Sequence, residues 1–138
     1  MKTAVIYWSG TGNTEAMANA VAEGAGVDAL TVSDFSGNAA DFDAIAFGCP
    51  VMGAEVLEEE EFEPFFTGIE KELSGKKVLL FGSYGWGDGE WMRNWEERVK
   101  AASANLLGDE GYTANEAPSD DDLVKLKALG AELAGTSL

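Results

Sequence analysis

Thr3-Ala4-Val5-Ile6-Tyr7-Trp8-Ser9-Gly10-Thr11-Gly12-Asn13-Thr14-Glu15 is the stretch on which the fold turns. Residues 3–8 are β-branched, aromatic or small and carry no charge, the pattern of a strand buried on both faces. A run of Ser, Gly, Thr and Asn follows, where the chain must turn tightly. From Glu15 to Glu23 the period changes: Ala16, Met17, Ala20 and Val21 fall on one helical face, and Gly24 and Gly26 are read as the stop. Strand, glycine-rich loop and helix in that order form the opening unit of a parallel α/β protein.

The alternation continues outward. Residues 29–33 read as a second strand, 34–43 as a polar crossover, and 44–49 as a third strand stopped by Pro50. A helix is expected near 62–73, a fourth strand over 77–82, and a helix over 90–102. Residues 105–108 and 112–115 read as a broken fifth strand, and 120–133 as a last helix capped near Ser119. The expectation is one domain, 1–138, built on an open five-stranded parallel sheet with helices on both faces. With right-handed crossovers the strand order is 2-1-3-4-5. Ligands of such sheets bind at the carboxyl ends of the strands beside the switch point, here between strands 1 and 3. Three loops converge there.

The first is Ser9-Gly10-Thr11-Gly12-Asn13-Thr14. Its glycines permit close approach, its side chains donate hydrogen bonds, and the free N–H groups of a helix start point the same way, so it suits an anion. A P-loop would need a lysine, which is missing. A dinucleotide fingerprint would need a third glycine where Glu15 stands, although Asp34 imitates its acidic partner, so that reading stays open. So does a capped turn with no ligand. A terminal phosphomonoester among neutral donors fits best.

The second loop, Pro50-Val51-Met52-Gly53-Ala54-Glu55, offers a polarizable thioether, an adaptable backbone and a hydrogen-bond acceptor. The third, Ser83-Tyr84-Gly85-Trp86-Gly87-Asp88-Gly89 with Trp91, sets aromatics between glycines without a core period, as a platform for a planar ring would. Taken singly, Met in a core, Gly in a turn and an aromatic packing loop are ordinary structure.

Together the three loops resemble the flavodoxin family, in its short-chain, clostridial type, over essentially the whole chain. Tyr7-Trp8-Ser9-Gly10-Thr11-Gly12-Asn13-Thr14-Glu15 is similar to the family's FMN phosphate loop, which implies phosphate contacts from Ser9, Thr11, Gly12, Asn13 and Thr14. Met52-Gly53-x-Glu55 resembles the loop over the inner flavin face. The resemblance implies that the Gly53 carbonyl turns toward flavin N5 as the redox switch and that Glu55 accepts from N3. Phe81-Gly82-Ser83-Tyr84-Gly85-Trp86-Gly87-Asp88-Gly89 resembles the loop on the other side, and Trp91 is expected over the outer face. Pro50 stands where some relatives carry a phosphate-binding serine, and Ala54 replaces a polar residue. The implied function is a low-potential one-electron carrier with non-covalent FMN, cycling through oxidised, semiquinone and hydroquinone states. A hydroquinone anion beside Glu55 and an uncompensated phosphate is disfavoured, so a very low second potential is expected. The partners implied are reductases and oxidoreductases normally served by ferredoxin.

Composition agrees. The chain has 138 residues, 25 acids against nine bases and no histidine, for a net charge of −16. Nucleic acid and acidic membranes are excluded as partners, as are His-based triads and His-ligated metals. The one cysteine, Cys49, is read as a buried strand residue; no disulfide or CxxC site is available to it. No secretory signal or membrane span is apparent, and a monomer in the cytoplasm is expected. No base occurs between Lys2 and Lys71, a stretch that includes Glu55, Glu58, Glu59, Glu60, Glu61 and Glu63. That run is either a solvated face or a docking surface for basic partners. The alternative function is an FMN-dependent NAD(P)H:quinone or nitro reductase, which would need a substrate cavity that a chain this short has little room to build. A receiver domain lacks its acids at Trp8-Ser9 and Cys49-Pro50, and a Cys-x5-Arg phosphatase would need arginine where Glu55 stands.

Overall fold

The computed structural model describes residues 3–10, 12–35, 41–50, 58–84 and 89–135. The first strand, β1 (Thr3–Tyr7), lies at the centre, since every one of its side chains is buried. It pairs in parallel with β2 (Ala29–Thr31) on one side and β3 (Ala44–Gly48) on the other. Beyond β3 comes β4 (Lys77–Tyr84), and along β4 run two short segments, β5 (Asn105–Leu106) and β6 (Tyr112–Asn115). All pairings are parallel, and the order is β2-β1-β3-β4-β5 with β6 also on β4. The broken fifth strand is thus one edge in two pieces. Lys77 and Val78 face Asn105 and Leu106, a turn at 107–109 with Gly108 at φ 76° interrupts, and Phe81 to Tyr84 then face Tyr112 to Asn115.

Alternation along each strand divides the core in two. Ala4, Ile6, Ile45, Phe47, Val78 and Leu80 point to one face, where helices α2 (Phe62–Ile69) and α3 (Glu90–Ala101) bring Phe62, Phe66, Trp91, Trp95 and Val99. Val5, Tyr7, Ala44, Ala46, Leu79 and Phe81 point to the other, against Met17 and Val21 of α1 (Asn13–Ala25) and Leu126 and Leu133 of α4 (Asp120–Leu133). Each fully buried aliphatic or phenylalanine side chain contributes about 1.5–3 kcal/mol.

Several boundaries differ from the sequence reading for physical reasons. Helix α1 runs through Gly24 and stops at Gly26, whose φ of 75° provides the left-handed cap. Gly24 serves contact instead: a Cβ there would stand 1.8 Å from the Lys127 carbonyl oxygen, and one on Gly130 would stand 2.1 Å from that of Val21. The two helices cross backbone to backbone at these glycines. Strand β2 ends at Thr31, because residues 32–34 turn and the Asp34 N–H bonds to Thr31. After Ile69, α2 tightens into a 3-10 turn over Glu70–Leu73. Ser119 caps α4 as expected, with the reciprocal bond from Asp122 that completes a capping box.

Candidate functional site

The carboxyl ends of β1 and β3 are where the parallel order reverses, and β1 delivers the chain directly into α1. Beyond Tyr7 the backbone stays bound to β3 through the Trp8 N–H on the Gly48 carbonyl (2.9 Å), then turns. Gly12 is the N-cap of α1 at φ 92°, a conformation a side chain would strain, and its carbonyl accepts the Ala16 N–H at 3.0 Å. Ser9 works on the same turn from three residues upstream. Its Oγ accepts the N–H groups of Gly12 (3.1 Å) and Glu15 (3.2 Å).

That geometry determines what the hydroxyl can still do. A serine oxygen has two lone pairs and one proton; with both lone pairs engaged, the proton is left to donate. The first N–H groups of a helix have no acceptor within it. Ser9 takes that of Glu15, and among the described residues those of Asn13 and Thr14 have no acceptor shown. Thr14, 1% exposed, pairs its hydroxyl with that of Ser83 at 3.2 Å, so the loop after β1 is tied to the end of β4. The Glu15 carboxylate turns aside and accepts the Tyr7 phenol at 2.9 Å. Burial first, and then that carboxylate, push the phenol up to about 12, so it remains a protonated donor at neutral pH. A donor hydroxyl, helix N–H groups and the positive end of a helix dipole make the turn a fit for a phosphate dianion. Beside it lies a cavity of about 190 Å³ lined by Trp8, Ser9, Thr31, Val32, Ser33 and Glu61.

The other expected site residues divide in two groups. Thr11, Val51, Met52, Gly53, Ala54, Glu55, Gly85, Trp86, Gly87 and Asp88 lie outside the described residues. Trp8, Gly10, Pro50, Ser83, Tyr84 and Gly89 lie at the same carboxyl edge. Gly89 is the N-cap of α3 at φ 89°, and Tyr84 packs on Trp91 with ring centroids 6.1 Å apart.

Trp91 itself is a correction. It is 1% exposed, embedded between the sheet and α3, with its indole N–H donating to the Cys49 carbonyl at 3.3 Å. A ring enclosed on both faces by its own core has none to offer a cofactor. The spacing Trp91, Met92, Trp95, Val99 is that of a buried helical stripe, and all four are buried. The same sequence holds the signal that identifies Trp91 as core.

The acidic run is also rearranged by the fold. Glu58 is buried, and its carboxylate accepts the N–H groups of Glu60 (3.0 Å), Glu61 (2.7 Å) and Phe62 (2.8 Å). It is the outside cap of α2, and no sequence signal marked it as such. Glu61 holds the Trp8 indole N–H and the Ser33 hydroxyl, each at 3.2 Å. Glu63 pairs with Arg98 at 2.7 Å, and Arg98 also binds Glu70 and lies over Phe66. Of the run, Glu59 and Glu60 remain exposed with no partner shown for either carboxylate among the described residues. Cys49 is buried as expected, one residue past β3, and burial pushes its thiol well up.

A doubly covered parallel sheet with a phosphate-fitting turn at its switch point defines an α/β protein built to hold a phosphorylated cofactor. The flavodoxin family model matches residues 5–130. The chain is 47% identical to the flavodoxin of Megasphaera elsdenii over 132 residues, 91% of this chain and 93% of that one. It is 54% identical to that of Clostridium beijerinckii over 101 residues, 69% and 73% of the two chains. Its fold superposes on the solution structure of the two-electron-reduced M. elsdenii flavodoxin with a TM-score of 0.78 at 42% identity, covering 94% of this chain and 98% of that. A flavodoxin from the domain Archaea gives a TM-score of 0.84 at 27% identity, covering 98% and 97%. The chain belongs to the flavodoxin family. It is an FMN-binding electron carrier that serves redox partner proteins, not an enzyme, and the reductase reading is not favoured. Among the described residues no helix is long and apolar enough to cross a membrane.

Proposed function

We propose that the turn from Ser9 to Thr14 holds the FMN phosphate, and that the flavin ring lies between residues 50–55 and 83–89. The observation that carries this reading is the Ser9 hydroxyl: both its lone pairs are occupied by the turn it closes, so its proton points its chemistry at an anion. FMN supplies one-electron chemistry that is its own, and the residues around it tune that chemistry. In this reading the Gly53 carbonyl is the acceptor that answers protonation of the ring, Glu55 binds the pyrimidine edge, and Met52 covers one face. With Trp91 committed to the core, the tryptophan assigned to the other face is Trp86. The carrier works as a cytoplasmic monomer and meets partners with basic surfaces, served by its net charge of −16.

The test is binding of FMN against riboflavin, followed by flavin fluorescence. Two hydrogen bonds to a charged phosphate, at about 1.5–3 kcal/mol each, predict that FMN binds roughly 100-fold more tightly or better. Equal affinities would remove the phosphate assignment. Trp86→Ala is expected to restore flavin fluorescence in the holoprotein.

A further inference from the structure

The turn after β1 is braced by a side chain from its own entry. The Trp8 indole lies against Gly10, so close that a Cβ there would stand 3.2 Å from its Cη2 and 3.4 Å from its Cζ3. The backbone of Trp8 is fixed to β3 by its N–H on the Gly48 carbonyl. The next residue, Ser9, closes the turn by accepting the N–H groups of Gly12 and Glu15. The position of the indole therefore bears directly on the positions of Ser9 and Gly10.

The ring is held from its other edge by Glu61. Trp8 Nε1–H donates to Glu61 Oε1 at 3.2 Å, and the Ser33 hydroxyl donates to Glu61 Oε2 at 3.2 Å. Both anchors are themselves fixed. The Glu61 N–H donates to the buried Glu58 carboxylate at 2.7 Å. Ser33 lies in the turn after β2, where the Val32 N–H donates to the Tyr7 carbonyl at 3.1 Å. One carboxylate thus joins the exits of β1 and β2 to the start of α2, along the wall of the 190 Å³ cavity that also includes Ser9. Its two side-chain donors are neutral, and its own charge opposes an anion at the turn. Any benefit to anion binding must therefore come through position and not through charge.

We propose that Glu61 is a positioning residue for phosphate recognition, acting through the Trp8 N–H to hold the indole against Gly10. It steadies Ser9 and the start of α1 before the anion arrives, and it works through the ring. The inference rests on the proposed placement of the phosphate at Ser9, Asn13 and Thr14. Its basis is the chain of contacts from Glu61 to Trp8 to Gly10.

The readout is the ratio of FMN to riboflavin affinity, from fluorescence titrations of the apoprotein with each flavin. Glu61→Gln removes the charge and keeps the brace, since its amide oxygen accepts from Trp8 and its NH₂ donates to the Ser33 hydroxyl. Glu61→Ala removes both. The ratio in Glu61→Ala is expected to lie about two- to fivefold below that in Glu61→Gln, the scale of one exposed hydrogen bond. In Glu61→Gln it should equal or exceed that of the unaltered protein. Site-specific replacement of Trp8 by benzothienylalanine keeps the ring shape and removes only the N–H. It should cost the same two- to fivefold in the Glu61→Gln background and nothing in Glu61→Ala, because the two residues act as one. Equal ratios in Glu61→Ala and Glu61→Gln overturn the proposal, as does an equal cost of the Trp8 replacement in both backgrounds. Denaturant unfolding of the same variants is the second measurement: a loss of stability in Glu61→Ala with the ratio kept makes the brace merely structural and also overturns it. Equal affinities for FMN and riboflavin in the unaltered protein would instead overturn the proposed phosphate site, and that titration comes first.

Discussion

Helices α1 and α2 both begin at the carboxyl edge of the sheet, one after β1 and the other after β3, and they begin in opposite ways. Three N–H groups at the start of α2 point at one buried carboxylate from its own chain, that of Glu58. At the start of α1 there is no acid in that position. A glycine turns the chain, Ser9 engages two N–H groups, and the N–H groups of Asn13 and Thr14 have no acceptor shown among the described residues. Both ends carry the same positive dipole. One is neutralised internally and serves stability; the other, in the proposed function, receives the phosphate of the cofactor.

The largest expected effect follows from the closed end. Glu58→Ala strands three buried or half-buried donors and leaves α2 without a cap, so unfolding stability should fall by about 2–3 kcal/mol. The ratio of FMN to riboflavin affinity should stay as it is, because Glu58 has no part in the open end. Denaturant titration checks the first and fluorescence titration the second. A loss of phosphate discrimination without a loss of stability would erase the distinction between the two helix starts.

The open end responds in the other sense. Thr14→Val keeps the shape of a residue that is 1% exposed and removes the hydroxyl paired with Ser83. It should weaken FMN by about 1–2 kcal/mol and riboflavin hardly at all. Ser83→Ala removes the other half of the hydroxyl pair and should show the same selectivity with a smaller loss. Both are read by titrating the apoprotein with the two flavins. If riboflavin suffers as much as FMN, the hydroxyl pair supports the fold and not the phosphate.

What the sequence made legible follows the same division. Strands came through because two-sided burial writes uncharged, β-branched runs such as Ala4 to Tyr7, and the turn between β1 and α1 because its glycines and hydroxyls break both strand and helix periods. The cap at Ser119 was legible since a capping box is local, four residues long. Glu58 was not, because an acid in an acidic run looks like solvent-facing charge until the fold buries it. Gly24 was misread as a stop because its reason is another helix, over 100 residues away in sequence. Trp91 was misplaced by its neighbours: next to a glycine-aromatic loop it reads as platform, whereas its spacing to Trp95 and Val99 puts it in the core.

The rearranged acidic run narrows the electrostatic expectation. With Glu58 buried and Glu63 paired with Arg98, the exposed charge of residues 58–63 is that of Glu59, Glu60 and Glu61. Glu61 is held in place by the neutral Trp8 and Ser33 donors, while Glu59 and Glu60 stand free of any shown partner among the described residues. Electron-transfer rates to a basic acceptor should fall with salt as the Debye length drops from about 10 Å at 0.1 M to about 3 Å at 1 M. Changing Glu59 and Glu60 together to Gln should flatten that slope; Glu58→Gln should not. Stopped-flow kinetics over ionic strength decides, and a slope indifferent to Glu59 and Glu60 returns them to plain solvated charge.

The smallest effect belongs to a third helix start, which is closed by its own first turn. The Asp122 carboxylate accepts the Ser119 N–H at 2.8 Å and the Tyr112 hydroxyl at 2.7 Å, and these bonds, the backbone one foremost, hold it below the ordinary carboxylate range. A carboxylate whose folded pKa is depressed binds its proton more readily in the unfolded chain. Its contribution is therefore complete above the ordinary value of 3.8 and is lost as pH falls below that value through the folded one. Glu63 behaves alike from 4.5 downward: burial raises it, but the Arg98 guanidinium and the Thr67 hydroxyl outweigh burial. Asp122→Asn should cost up to about 1 kcal/mol at pH 7, the scale of an exposed cap. At pH 3 the gap to the unaltered protein should be narrower, since protonation then weakens the same bonds in both. The measurement is urea unfolding at the two pH values. Because Asp122 bonds to Ser119 and to Tyr112 of the outer strand, away from β1 and β3, FMN affinity should be untouched, and a change in it would mean that the starts of α1 and α4 are coupled.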